Sequence, residues 1–167
     1  MRDTDDYDYL IMSSLFVLIK VYRGKYRGTP VAIKLIFTVD LNPEIIHRVC
    51  KEAQLLSQIN HPNVVEIFGV SVFPPSVCLV LEICHYGSLS DVIRGKSAGG
   101  SGNRRPPLPL THADKMYLAL GCARGLEALH SYSATLCHRD VKSFNFLVDS
   151  QLNAKIADLE LGGDDNE

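Results

Sequence analysis

Eight consecutive residues decide how this chain is interpreted: His138-Arg139-Asp140-Val141-Lys142-Ser143-Phe144-Asn145. The aspartate can accept a proton from a hydroxyl group, and the lysine that follows it can stabilise charge during a group transfer. The asparagine supplies an amide oxygen, which is a hard ligand of the kind that Mg²⁺ accepts. A polar turn between strands could contain any one of these residues. All of them together, at this spacing, predict a catalytic site.

A second acidic residue follows a short hydrophobic segment. Asp158 comes directly after Lys155-Ile156-Ala157. A carboxylate at the end of a strand can bridge Mg²⁺ to the phosphates of a nucleotide. Taken alone, Asp158 would be an ordinary strand-end aspartate, so its interpretation depends on the run at 138–145.

A lysine and a glutamate nearer the start form a candidate ion pair. Lys34 lies in the apolar segment Val31-Ala32-Ile33-Lys34, where an unpaired buried ammonium would be costly. Glu52 has the helical phase of its apolar neighbours, and an inward-facing acid needs a partner. A snorkelling edge lysine and a solvated glutamate are the alternatives. If the two residues pair, Lys34 is held where it can contact phosphate oxygens.

Composition narrows the class of protein. The 167 residues are 46% hydrophobic and 22% charged, as in globular domains, and the net charge of −2 does not indicate a nucleic-acid partner. The apolar run at 10–19 is shorter than the roughly 18 residues of a membrane span, so none is expected. The five cysteines form no Cys-x-x-Cys pair, which favours reduced thiols and a cytoplasmic location.

Hydrophobic periodicity predicts a β-rich part followed by a helical part. A helix is expected between Asn42 and the segment 60–62, a second near Ser88, and a flexible Gly- and Pro-rich loop at 95–109. The predicted strands are 15–22, 31–37, 64–72 and 77–83.

A longer helix is predicted at 111–130. Thr111 and Asp114 have the spacing of a capping box at its start. Its apolar residues at helical spacing are expected to form one buried stripe. They are Met116, Ala119, Leu120, Ala123, Leu126 and Leu129.

In this order and spacing, these residues resemble the signature set of eukaryotic protein kinases over about residues 13–162. The run at 138–145 and the segment 21–28 are similar to the tyrosine-kinase-like group, which mostly phosphorylates serine and threonine. The resemblance implies an α+β fold with an antiparallel β N-lobe carrying one main helix, and a partial helical C-lobe. The implied domains are a poorly ordered acidic tail, an N-lobe with hinge, and an incomplete C-lobe, at 1–12, 13–86 and 87–167.

The resemblance also implies a role for each matching position. Asp140 would orient the substrate hydroxyl and take its proton, and Lys142 would steady the γ-phosphate. Glu52 would hold Lys34 against the α- and β-phosphates. Asn145 and Asp158 would hold Mg²⁺. The ATP-binding residues would be Val21, Ala32, Lys34, Leu81 as gatekeeper, Glu82 and Cys84 in the hinge, and Leu147 beneath the adenine. The expected reaction moves the γ-phosphate of Mg-ATP to a serine or threonine of a protein substrate.

The chain departs from the family pattern in three ways. The positions of the glycine-rich loop hold Ser14, Phe16 and Ile19, whose side chains would keep the backbone away from phosphates. The usual Asp-Phe-Gly reads Asp158-Leu159-Glu160, which adds a negative charge beside the metal. The chain ends seven residues after Glu160, so the activation loop and later helices are expected to be missing. Much of the stripe on the helix at 111–130 is then expected to lose its cover, and the fragment to be marginally stable.

These departures favour an alternative, a pseudokinase-like regulatory or scaffold module without efficient phosphotransfer. A weaker alternative is a non-kinase ATP-binding domain or a small-molecule kinase. The four charged positions, Lys34, Glu52, Asp140 and Asp158, favour a protein kinase.

Overall fold

A computed structural model of the chain describes residues 11–14, 17–38, 43–73, 76–95, 108–132 and 138–157. These residues form two compact units. The first contains residues up to Gln58 and Glu66–Ile83, and the second contains Ile59–Val65 and the residues from Cys84 onward. Most of the predicted acidic tail and positions 96–107 of the predicted flexible loop lie outside the described residues.

In the described part of the first unit, five strands form one antiparallel sheet in the order β1-β2-β3-β5-β4. Val, Ile, Leu and Phe dominate these strands, as expected for a pleated and partly buried surface. The strands are β1 (Ile11–Ser14), β2 (Val17–Tyr26), β3 (Thr29–Thr38), β4 (Ile67–Phe73) and β5 (Ser76–Glu82).

A two-residue turn sets the register of the longest strand pair. Arg27 and Gly28 join β2 to β3 with φ values of 50° and 86°. Two successive residues with positive φ match the twist of the flanking strands, which is why glycine is favoured there. The resulting register places Lys34 of β3 opposite Val21 of β2.

The helix of the first unit, α1 (Pro43–Ser57), packs against β4 and β5. Its residues Ala53 and Leu56 are buried. The helix was expected to continue to 60–62 but ends at Ser57, and Ile59–Val65 belongs to the second unit. For the same reason β4 begins at Ile67, three residues later than predicted.

The described elements of the second unit surround a separate small core. The core contains Val92, Leu118, Val148 and Ala154, and α3 packs against β8. A sheet with the order β6-β7-β8 lies in this unit, and Val64 adds a parallel bridge to Ile156. The elements are β6 (Gly87–Ser88), α2 (Leu89–Ile93), α3 (His112–Tyr132), β7 (Phe146–Val148) and β8 (Ala154–Ile156).

The start of α3 confirms the predicted capping box. The Asp114 N–H donates to Thr111 Oγ1 at 3.2 Å, and the Thr111 N–H donates to Asp114 Oδ2 at 2.8 Å. The hydrogen bonds from Thr111 lower the pKa of the Asp114 carboxyl group. Antiparallel strands and helices together confirm the predicted α+β class.

Most of the predicted stripe of α3 is exposed, which agrees with the expectation that much of it loses its cover. Four of its members are exposed, and only Leu129 is fully buried. The exposed members are Met116, Ala119, Leu120 and Ala123. The face that is buried contains Leu118, Gly121, Gly125 and Leu129.

Close backbone contact explains why glycines lie on the buried face of α3. A Cβ atom added to Gly125 would lie 2.4 Å from the carbonyl oxygen of Asn63, and one added to Gly121 would lie 2.9 Å from Asn63 Nδ2. Neither distance is compatible with a real side chain without a shift of the neighbour. Hydrophobic periodicity gives glycine no weight, so it did not predict the buried positions of Gly121 and Gly125.

Candidate active site

Residues 138–145 form a loop, called the 138–145 loop below, whose first residues have an unusual backbone. His138 is buried, and its Nε2 donates to the Ala157 carbonyl oxygen at 3.1 Å. Arg139 has a φ of 59°, in the left-handed region that costs a non-glycine residue about 1–2 kcal/mol. The Asp140 N–H then donates to the His138 carbonyl oxygen at 2.8 Å. This turn leaves the Asp140 side chain 25% exposed.

Two groups of the same loop stabilise the ionised form of Asp140. The Lys142 ammonium group contacts Asp140 Oδ2 in an ion pair, and Asn145 Nδ2 donates to the same oxygen at 2.8 Å. The Lys142 hydrogen bond is the main cause of a lowered Asp140 pKa, and the Asn145 hydrogen bond adds to it while partial burial opposes it. At neutral pH, Asp140 is therefore a carboxylate, which can only accept hydrogen bonds.

Asn145 connects this carboxylate to the rest of the unit. Its Nδ2 also donates to the Asp140 carbonyl oxygen at 2.8 Å, and its backbone N–H donates to the Lys142 carbonyl oxygen at 2.9 Å. Its own carbonyl oxygen accepts from the Ala157 N–H at 2.8 Å. Because the amide nitrogen faces Asp140, Oδ1 is the side-chain oxygen that can accept a further partner.

The chemistry of this donor set fits a magnesium ion in part. Asn145 Oδ1 is a hard oxygen, and Mg²⁺ combines a few protein oxygens with water and phosphate. Asp158, the other predicted ligand, lies outside the described residues, but its neighbour Ala157 is bonded to the 138–145 loop through both backbone groups. The described ranges contain no group of three or more His, Cys, Asp or Glu residues that could hold a metal alone.

The first unit brings four of the predicted ATP-binding residues to one face of its sheet. The register pairs Lys34 with Val21 on one side, and pairs Ala32 with Leu81 of β5 on the other. Directly opposite residues and residues two apart along a strand share a face. Val21, Ala32, Lys34 and Leu81 therefore all lie on the same face of the sheet.

Lys34 is not the edge lysine of the alternative interpretation. It lies in β3, the central strand of the sheet, and only 9% of its surface is exposed. A buried ammonium group in a central strand requires a polar environment. Glu52 lies on α1, but its side chain is outside the described residues, so the Lys34–Glu52 pair stays a prediction.

The remaining predicted ATP-binding residues belong to β5, the segment after it and β7. The Glu82 N–H donates to the Glu66 carbonyl oxygen at 2.9 Å, and Glu82 Oε1 accepts from the Glu66 N–H at 2.8 Å. The Cys84 carbonyl oxygen accepts from the Gly87 N–H at 3.2 Å. Leu147 is half-buried in β7. Leu147 and Cys84 belong to the second unit and Glu82 to the first, so each unit carries part of the predicted set.

Asn63 is a supporting residue whose role the sequence did not predict. It is buried, its Nδ2 donates to the Ala154 carbonyl oxygen at 2.8 Å, and its own carbonyl oxygen accepts from the Ile156 N–H at 2.8 Å. Asn63 thus fixes β8, whose next residue Ala157 holds the 138–145 loop. The spacing of Gly121 and Gly125 on α3 is a sequence signal of a close approach to this helix, but it does not identify Asn63 as the neighbour.

Comparison with known proteins identifies the class to which this α+β fold and this Asp–Lys–Asn loop belong. The model of a family described as protein tyrosine and serine/threonine kinase matches residues 17–166. The chain belongs to this family, which confirms the protein-kinase resemblance.

Individual relatives carry serine/threonine kinase names. A probable serine/threonine-protein kinase, drkD, of Dictyostelium discoideum is 35% identical over 142 residues, which are 85% of this chain and 10% of that protein. The probable serine/threonine-protein kinase SIS8 of Arabidopsis thaliana is 34% identical over 142 residues, 85% of this chain and 13% of that protein. A putative serine/threonine-protein kinase/receptor, R831, of Acanthamoeba polyphaga mimivirus is 34% identical over 139 residues, 83% of this chain and 8% of that protein. The chain spans about a tenth of the length of these curated relatives.

Proposed function

We propose that this chain contributes the catalytic part of a serine/threonine protein kinase, which moves the γ-phosphate of Mg-ATP to a hydroxyl group of a protein substrate. The observation that carries the proposal is the hydrogen-bonded cluster of Asp140, Lys142 and Asn145. The names of the relatives support serine and threonine as acceptors, and Lys142 supports assignment to the tyrosine-kinase-like group.

In the proposed reaction, Asp140 accepts the hydrogen bond of the substrate hydroxyl and takes its proton as the hydroxyl oxygen bonds to the γ-phosphorus. The bond from that phosphorus to the oxygen shared with the β-phosphate breaks, and ADP leaves. The lowered pKa of Asp140 keeps it ionised and ready to orient the hydroxyl. Lys142 balances charge on the transferred group, so positioning and charge compensation supply most of the rate.

The nucleotide would be bound by the residues that the family resemblance assigns to it. Lys34 would contact the α- and β-phosphates, with Glu52 as its partner. The adenine would be bound by Val21, Ala32, Leu81, Glu82, Cys84 and Leu147. The shared sheet face of four of these residues supports this assignment.

Asn145 and Asp158 would hold Mg²⁺. The bound ion would neutralise phosphate charge, and Asn145 Oδ1 is the described oxygen that supports the assignment. Within the described residues, the cysteines form no disulfide, which supports a cytoplasmic location; they are Cys50, Cys78, Cys84 and Cys122. None of the described helices has the length and apolar character needed to cross a membrane.

Phosphate transfer to a generic protein substrate, measured together with Mg-ATP binding by thermal shift, tests the proposal. Asp140→Asn should reduce transfer by about 10²–10⁴-fold, because the hydroxyl loses its proton acceptor. Glu127→Gln removes an exposed carboxylate of α3 in the same unit and should leave transfer unchanged. Equal transfer by the unmodified chain and Asp140→Asn would overturn the proposal.

A pseudokinase-like module is the second candidate, and the β1–β2 hairpin favours it. Two positions that hold glycine in the family pattern, Ser14 and Ile19, lie in paired strands, opposite Val17 and Ile11. Glycine at such positions allows a close approach of the backbone to phosphate, and other residue types allow it less readily. Mg-ATP binding without any transfer would favour this candidate over the kinase.

A further inference from the structure

The short helix α2 is fixed directly to the 138–145 loop. The Ser90 N–H donates to the Ser143 carbonyl oxygen at 3.0 Å. At the other end of the helix, the guanidinium carbon of Arg94 lies 5.3 Å from the centroid of the Phe144 ring. One backbone hydrogen bond and one cation–π contact therefore hold α2 beside the loop that carries Asp140.

Both members of the cation–π contact are exposed. Phe144 is 49% exposed, and Arg94 is exposed at the helix end. Within the described ranges, no carboxylate lies within ion-pair distance of Arg94. A guanidinium group that stacks on a ring still directs N–H donors to solvent, in a fork that matches a carboxylate. Arg94 and Phe144 together are called the Arg94–Phe144 surface below.

A peptide that presents its hydroxyl to Asp140 would approach the same loop that carries Phe144. Asn145 Nδ2 lies 2.8 Å from Asp140 Oδ2, and Phe144 is the residue that precedes Asn145. An extended peptide rises about 3.3 Å per residue, so residues within a few positions of the acceptor can reach Phe144 and the guanidinium group above it.

We propose that the Arg94–Phe144 surface is a substrate-specificity site, where Arg94 binds an aspartate or glutamate within a few residues of the phosphorylated serine or threonine. The proposal rests on the proposed kinase function and adds the chemistry of the substrate. Charge selects the occupant, because an exposed cation that has no acidic partner among the described residues favours a carboxylate. The exposed side chains of Val141 and Ile93 add apolar area on the loop and on α2.

Paired serine peptides test the proposal on the full chain. In each pair, one position within four residues of the serine holds glutamate or glutamine, and kcat/KM is measured for both. At the best position, kcat/KM should be about three- to fivefold higher for the glutamate peptide than for the glutamine peptide. This ratio corresponds to the upper range of the free energy of an exposed ion pair. Arg94→Glu should reverse this preference, and Phe144→Ser should reduce it. Arg124→Glu makes the same charge reversal on an exposed part of α3 and should preserve the preference.

Peptide binding separates this proposal from the proposed function. The dissociation constants of the same glutamate and glutamine peptides, measured by fluorescence anisotropy, should show the preference even if no phosphate is transferred. The difference should shrink as salt rises from 0.05 to 0.5 M, because the Debye length falls below about 10 Å above ~0.1 M. Equal binding of the two peptides, or a preference that Arg94→Glu leaves intact, overturns the specificity site. Absence of transfer with the binding preference intact overturns only the kinase function.

Discussion

The 138–145 loop and the β1–β2 hairpin differ in how much of the kinase sequence pattern they retain. In the loop, Asp140, Lys142 and Asn145 are all present and bonded to each other. In the hairpin, the antiparallel pairing is present, but Ser14 and Ile19 replace glycines of the family pattern.

The difference follows from what each region requires. Backbone hydrogen bonds form a hairpin from any residues of good strand propensity, so its shape tolerates substitution. The loop depends on particular side-chain groups at particular positions, and no other residues reproduce them. The chain therefore keeps the groups that are proposed to react and changes the segment that would cover the phosphates.

The largest expected effect comes from breaking the loop. Asn145→Ala removes two hydrogen bonds to Asp140 and the oxygen proposed for Mg²⁺, so transfer to a protein substrate should fall by at least about 100-fold. Steady-state phosphate incorporation measures the effect. Gln151→Ala removes an exposed amide of the same unit and serves as the control. A loss below threefold would show that the cluster does not organise Asp140.

The second-largest expected effect comes from a change in the packing that supports the 138–145 loop. Gly125→Ala should lower the free energy of unfolding by about 2–3 kcal/mol, since its Cβ would lie 2.4 Å from the Asn63 carbonyl oxygen. Gly69→Ala in β4 is the matched control, because an added Cβ meets no atom within 4 Å there. Denaturant titration measures both variants. Equal stability of the two would contradict the close contact between α3 and Asn63.

Glycines introduced at the positions of the family pattern test the role of the β1–β2 hairpin. The triple variant Ser14→Gly, Phe16→Gly and Ile19→Gly should bind Mg-ATP about tenfold more tightly, a gain of ~1.4 kcal/mol, because the backbone can approach the phosphates. Calorimetric titration measures the affinity. Lys25→Gly places a glycine at the far end of β2 and should not change it. Unchanged binding by the triple variant would mean that the hairpin does not contact phosphate.

The smallest effect concerns the titration of Asp140. Its pKa lies below the ordinary value of 3.8, chiefly through the Lys142 hydrogen bond, so Lys142→Ala should raise that pKa toward 3.8. The lowered pKa stabilises the fold at pH values above the unfolded pKa, and this contribution is lost as pH falls through the folded pKa. Lys142→Ala should therefore reduce the loss of stability on acidification.

Carboxyl carbon NMR follows the Asp140 titration directly. Lys115→Ala, which removes an exposed ammonium group from α3, should leave the titration of Asp140 in place. An Asp140 pKa that does not rise in Lys142→Ala would exclude the ion pair as the cause of the lowered value.

Sequence reasoning succeeded where short-range rules apply. The capping box at Thr111 and Asp114 and the helix start at Ser88 follow from local hydrogen bonding, and the structure contains both. The family resemblance also followed from sequence, because side-chain chemistry at fixed spacing is visible without coordinates. Lys34 is buried, as expected from its position in an apolar strand. Because burying an unpaired ammonium group is costly, the sequence also predicts a polar partner for it.

Long-range contacts were not predictable in the same way. The buried face of α3 is decided by the approach of Asn63, which lies in a distant segment, and hydrophobicity alone favoured Met116 and Leu120 instead. The end of α1 was predicted too late, and in the segment that follows it the residues Asn63–Val65 bond to β8 rather than extending the helix. The contact between Arg94 and Phe144 likewise joins elements that periodicity treats separately.

The hydrogen bond from Asn63 to Ala154 joins residues 91 positions apart, whereas the turn at Arg27 and Gly28 joins adjacent strands. Local pairing closes within about 1–10 μs, but a contact across so long a loop has a larger entropic cost. During synthesis on the ribosome, the β2–β3 pair can form early, while Asn63 has no strand to hold until residue 154 has emerged. The 138–145 loop is made before the strand that fixes it, so its assembly depends on the last part of the described chain.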